Sequence, residues 1–67
     1  MITVFVNGEQ KNFAQPVTLQ EVLEILQLKG QRIAVEVNGE VVPKSCYGTY
    51  TLKDGDCLEV VVAVGGG

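Results

Sequence analysis

Ile2, Val4 and Val6 alternate with Thr3 and Phe5, the two-residue period of a strand with one buried face. Asn7-Gly8 follows directly. Both positions of that pair tolerate positive φ, so the chain is predicted to reverse in a two-residue hairpin and return antiparallel over Glu9 to Ala14. The polar composition of the returning strand places it at a sheet edge, and Pro16, lacking a backbone donor, closes it. The period then changes. Leu19, Val22, Leu23 and Leu26 fall at i, i+3, i+4 and i+7, while Gln20, Glu24 and Gln27 face away, which predicts an amphipathic helix over Thr18 to Leu28. Thr18 and Glu21 have the spacing of a capping box, Lys29 suits the negative end of the helix dipole, and Gly30 is placed to take the left-handed stop.

Alternation resumes at Ile33, Val35 and Val37, and Asn38-Gly39 repeats the hairpin signal before a short strand at Glu40 to Val42. Pro43 to Tyr50 reads as a mixed connection, and Asp54-Gly55-Asp56 as a turn into a last strand with Leu58, Val60, Val62 and Val64 on its inner face. The order hairpin, helix, hairpin-like pair, strand predicts an α+β fold in which a mixed sheet carries one helix across one face. Residues 1–63 form that domain and residues 64–67 a C-terminal tail.

At 67 residues the chain makes one small domain that buries only about 60% of its unfolded surface, with little room for an internal active site. A net charge of −3 disfavours nucleic acid as a partner. No stretch approaches the roughly 20 apolar residues of a membrane span and no signal segment is recognisable, so the expected location is cytoplasmic, with no membrane partner. Cys46 and Cys57 are the only cysteines and histidine is absent. Two thiols do not make a structural zinc site, so no metal is expected. They read as reduced thiols in or near the core, with a disulfide or a reactive thiol as the alternatives. The acids fall in turns and on the exposed helix face, where they read as solvated charge rather than as a catalytic pair.

Gly65, Gly66 and Gly67 follow the apolar run Leu58 to Val64. An α-carboxylate at Gly67 is ionised at neutral pH, and four extended residues carry it about 13 Å beyond the sheet. Glycine, without a Cβ, passes between close walls. The tail therefore reads as a nucleophilic handle, with a frayed end or a cloning remnant as the alternative. Alternation also turns Phe5, Val61 and Ala63 to the face the helix does not cover, either as a docking surface for a partner or as scattered surface hydrophobes.

The opening M-I-T-V-F-V-N-G-E, the helix segment T-L-Q-E-V-L-E-I-L, then V-E-V-N-G-E-V-V-P, L-K-D-G-D and V-V-V-A-V-G-G-G together resemble the ThiS sulfur carriers of thiamin biosynthesis, end to end. The resemblance implies the ubiquitin-like β-grasp fold. It also implies a carrier that is not itself an enzyme and binds no cofactor. A ThiF-like enzyme uses ATP to adenylate the carboxylate carried over to Gly67, and sulfur drawn from cysteine through a desulfurase replaces AMP. The thiocarboxylate then serves a ThiG-like thiazole synthase. Gly66 and Gly67 match the family ending and the extra Gly65 also occurs in the family pattern, whereas Cys46 and Cys57 match no family motif. A molybdopterin-synthase small subunit, a carrier for another pathway and a non-reactive binding module of the TGS type are the alternative readings.

Overall fold

A computed structural model describes residues 1–28 and 30–63. Lys29, Val64, Gly65, Gly66 and Gly67 lie outside the described residues, and with them the expected dipole partner of the helix and the expected tail. The elements run β1 (Ile2–Val6), β2 (Glu9–Phe13), α1 (Leu19–Ile25), β3 (Ile33–Val37), β4 (Glu40–Val41), a short 3-10 turn (Lys44–Cys46) and β5 (Cys57–Val62). They form one five-stranded sheet in the order β2-β1-β5-β3-β4. β5 lies at its centre, parallel to β1 and antiparallel to β3, and α1 covers one face. This is the β-grasp arrangement.

Both hairpins form where Asn-Gly was expected to make them. Asn7 and Gly8 have φ of 50° and 85°, and Asn38 and Gly39 of 52° and 87°, the paired left-handed residues of a type I′ turn. β2 is the edge strand its polar composition indicated, and its one ion pair, Lys11 to Glu9 at 3.5 Å, is a partly exposed contact of little energetic weight.

The inner face buries Ile2, Val4, Val6, Val35, Val37, Leu58 and Val60 in one cluster with Leu19, Val22 and Leu23 of the helix. The capping box is present: Glu21 N donates to Thr18 Oγ1 at 3.1 Å and Thr18 N to Glu21 Oε1 at 2.8 Å. The remaining first-turn donors go to the 43–52 connection, Leu19 N to Tyr50 O at 2.8 Å and Gln20 N to Tyr47 O at 3.0 Å. That connection also adds Tyr47 and Leu52 to the core.

The helix stops earlier than its apolar stripe. Gly30 is left-handed as expected, at φ 86°, but the helix has already closed at Gln27, which is left-handed at φ 61°. Its amide donates to Glu24 O at 3.0 Å and that of Leu28 to Leu23 O at 2.8 Å, a Schellman closure that satisfies the terminal carbonyls. Leu28 then packs against the core, and this contact outweighs the Cβ penalty at Gln27. β4 is one residue shorter than expected, although Val42 N still donates to Val35 O at 2.9 Å and its side chain is buried.

Candidate functional site

The strand that leads to the C-terminus is held from both sides. Toward β3 the register runs from Val37↔Leu58 to Ile33↔Val62, and Ala63 N continues it by donating to Arg32 O at 2.8 Å. Toward β1 the paired stretch is short, Phe5↔Cys57 and Val6↔Leu58, because β1 turns away at Asn7. The Asn7 side chain extends this ladder. Its backbone N donates to Leu58 O at 2.8 Å, Nδ2 donates to Val60 O at 3.0 Å, and Oδ1 accepts from Val60 N at 2.7 Å. The carboxamide thus stands in for a further residue of strand.

The second Asn-Gly turn serves the start of β5 in the same way. Asn38 N donates to Cys57 O at 2.8 Å, Oδ1 accepts from Cys57 N at 3.0 Å, and Nδ2 donates to Asp56 Oδ1 at 3.0 Å. Asp56, only 5% exposed, also accepts from Lys53 N at 2.8 Å through Oδ2. The expectation that turn acids are solvated therefore fails at Asp56, whose carboxylate fixes the turn before β5. Asp54 adds a tie to β1 through Thr3 N at 2.7 Å.

The proposed docking residues are not all adjacent. Phe5, Val61 and Ala63 share the uncovered face, but Phe5 is level with Cys57, so Val61 stands four residues, roughly 13 Å, further along β5. Glu59 lies between them on the same face, opposite Glu36. Val61, 63% exposed, pairs with Ala34 and stands with Ala63 at the end of the sheet where the chain continues. Phe5 is half-buried at the other level. Gly65, Gly66 and Gly67 lie outside the described residues.

Cys46 is half-buried against the core, and Cys57 is exposed on the outer face, since Leu58 takes the inward position. Both thiols are free in this structure, and the expectation of thiols in or near the core holds at Cys46 and fails at Cys57, which the strand's alternation turns outward. Among the described residues no three His, Cys, Asp or Glu side chains are grouped to hold a metal ion, and no helix is long and apolar enough to cross a membrane.

A family model described as the ThiS family matches residues 4–67. The chain is 44% identical over 62 residues to a thiazole synthase of Paramagnetospirillum magneticum, a match that covers 92% of this chain and 19% of that protein. It is 40% identical over 50 residues to the sulfur carrier protein ThiS of Bacillus subtilis, covering 75% of this chain and 76% of that one. The chain spans about a fifth of the length of the two thiazole synthases it matches. The crystal structure of the thiamine biosynthesis protein ThiS from Geobacter metallireducens superposes with a TM-score of 0.82 at 32% identity, covering 98% of this chain and all of that one.

Proposed function

The chain belongs to the ThiS family of sulfur carriers in thiamin biosynthesis, and from that premise we propose that Gly67 is the residue that carries the sulfur. Its carboxylate attacks the α-phosphorus of ATP within a ThiF-like enzyme, releasing pyrophosphate and leaving an acyl adenylate. A carboxylate resists substitution by sulfur because oxide is a poor leaving group; AMP is a good one. Sulfur drawn from cysteine by a desulfurase arrives as a persulfide, whose outer sulfur adds to the activated carbonyl and expels AMP. A second thiol then attacks the inner sulfur of the resulting acyl disulfide, forming a new disulfide and releasing the thiocarboxylate. The carrier brings the acyl group and its partners, in the cytoplasm, supply the catalysis.

The observation that carries this reading is the family match through residue 67, which includes the glycine ending. The likeness to a segment of two thiazole synthases supports a ThiG-like enzyme as the acceptor. Val61 and Ala63, at the end of β5, are the centre of the proposed docking surface, with Phe5 as a more distant contact. Gly65 and Gly66 serve as the slender approach to the activating site.

Intact-mass measurement tests the proposal. Incubation with a ThiF-like enzyme, ATP and a sulfur donor is expected to raise the mass by the exchange of one oxygen for sulfur, and fragmentation is expected to place the change at Gly67. An unmodified chain under conditions that convert the Bacillus subtilis ThiS would refute the reading.

A further inference from the structure

We infer that a groove on the helix side of the domain, beside the root of the tail, is a second docking site, and that it takes an acidic segment of the adenylating enzyme carrying one bulky apolar side chain. The inference rests on the carrier reading above. The groove has a volume of about 530 Å³ and lies between α1, Leu28, residues 30–32, the start of β3 and the 3-10 turn. Leu23, Leu28, Ile33 and Tyr47 line it, with Arg32 and Lys44 as its cations and no acidic side chain among its lining residues. Its volume is within the roughly 300–1,000 Å³ of ordinary ligand pockets, enough for one large side chain.

Charge identifies the occupant. The domain is net −3, yet this groove presents two exposed cations, and neither forms an ion pair among the described residues. The groove gathers two of the chain's five Lys and Arg side chains, with no acidic residue among its described lining, so it attracts an acidic segment to this end of a net-acidic domain. Attraction to one end orients the encounter as well as strengthening it. The oriented end is the useful one, because the carbonyl of Arg32 receives the hydrogen bond from Ala63 N, the last described tie before the tail. A segment seated against Arg32 and Lys44 therefore brings the tail's root to a fixed place on the enzyme, while the sheet face around Val61 remains free for a second contact.

The test uses the full chain and a purified ThiF-like enzyme, with affinity measured by calorimetry without ATP and adenylation followed by pyrophosphate release. Reversing both charges, Arg32→Glu with Lys44→Glu, is expected to raise Kd and the KM for the carrier about tenfold or more while kcat stays within twofold. The wild-type Kd is expected to rise with salt, and that of the reversed variant to lose this dependence. Both side chains are exposed, so thermal melting is expected to be unchanged; the milder pair Arg32→Gln and Lys44→Gln gives an intermediate Kd and guards against misfolding of the first. An unchanged Kd in both variants overturns the groove while leaving the carrier reading intact. A fall in kcat with no change in Kd overturns it as well. Self-association of the wild type that the reversal abolishes assigns the groove to a second copy and overturns the inference. Failure of the wild type itself to be adenylated overturns both readings.

Discussion

Asn7→Gly removes the side-chain bonds to β5 while leaving the hairpin turn in place. At φ 50° Asn7 is already in a conformation that glycine adopts without steric cost, so the turn geometry is retained. What disappears is the pair of bonds to Val60, at 3.0 Å to its carbonyl and 2.7 Å from its amide. Each contributes about 0.5–1.5 kcal/mol net, and the relief of left-handed strain is offset by the about 0.5–1 kcal/mol that glycine's freedom costs on folding. The expected loss is about 1–3 kcal/mol. For a domain of 67 residues, with a total stability of about 3–10 kcal/mol, that is a large fraction.

Urea denaturation reads the total, and with m near 1 kcal/mol/M the midpoint is expected to fall by about 1 M or more. Amide exchange reads the location. The Val60 amide loses its acceptor and is expected to exchange about 5–30 times faster, whereas the Phe5 amide, which donates to Asp56 O at 2.9 Å in the same inter-strand seam, keeps its partner and slows or quickens only with global stability. Equal acceleration at Phe5 and Val60 would mean that the loss is global and that Asn7 does not clamp β5 locally. An unchanged midpoint with unchanged exchange would reduce Asn7 to a turn residue.

Three further substitutions follow from the same geometry. Thr18→Ala removes the capping box and is expected to cost about 1 kcal/mol, read by chemical denaturation. Gln27→Gly relieves an exposed left-handed residue at the helix stop and is expected to stabilise by up to about 1 kcal/mol, since the backbone bonds of the closure are kept; destabilisation would mean that the Gln27 side chain has a role of its own. Val61→Asp, on the open sheet face, is expected to raise the KM for adenylation with little change in melting, and an unaltered KM would remove Val61 from the docking surface.

The strands, both hairpins and the helix start were legible because each is written locally, in a period of two, in Asn-Gly and in Thr18 with Glu21. The core contribution of Tyr47 and Leu52 was not, since the 43–52 connection has no period and its carbonyls find their donors on a helix about 30 residues away in sequence. Gly30 was the better helix stop by propensity and is left-handed, but the helix closes first at Gln27, with Leu28 packed against the core. Nor does any local pattern fix the parallel register of β1 and β5. That register separates Phe5 from Val61 and brings Asn7 to Val60, so the spacing within the candidate patch was not legible and a clamp was read only as a turn.

The central position of β5 bears directly on the proposed chemistry. Had the last strand been an edge, like β2 or β4, one ladder would hold it and its end would be free to fray. Each residue that a partner must order on capture costs about 1–2 kcal/mol, so a frayed Val62 and Ala63 would add roughly 2–4 kcal/mol to every docking event. The pairing of Val62 with Ile33 and the bond from Ala63 N to Arg32 O remove those two residues from the cost. On the other side Asn7 reaches past the end of β1 to hold Val60. Loosening this clamp is therefore expected to weaken capture by the adenylating enzyme even though Asn7 lies on neither proposed docking surface, and in Asn7→Gly the rise in Kd is expected to track the faster exchange at Val60. A variant whose Val60 amide opens freely while Kd stays at the wild-type value would show that the rigidity of the root has no bearing on delivery.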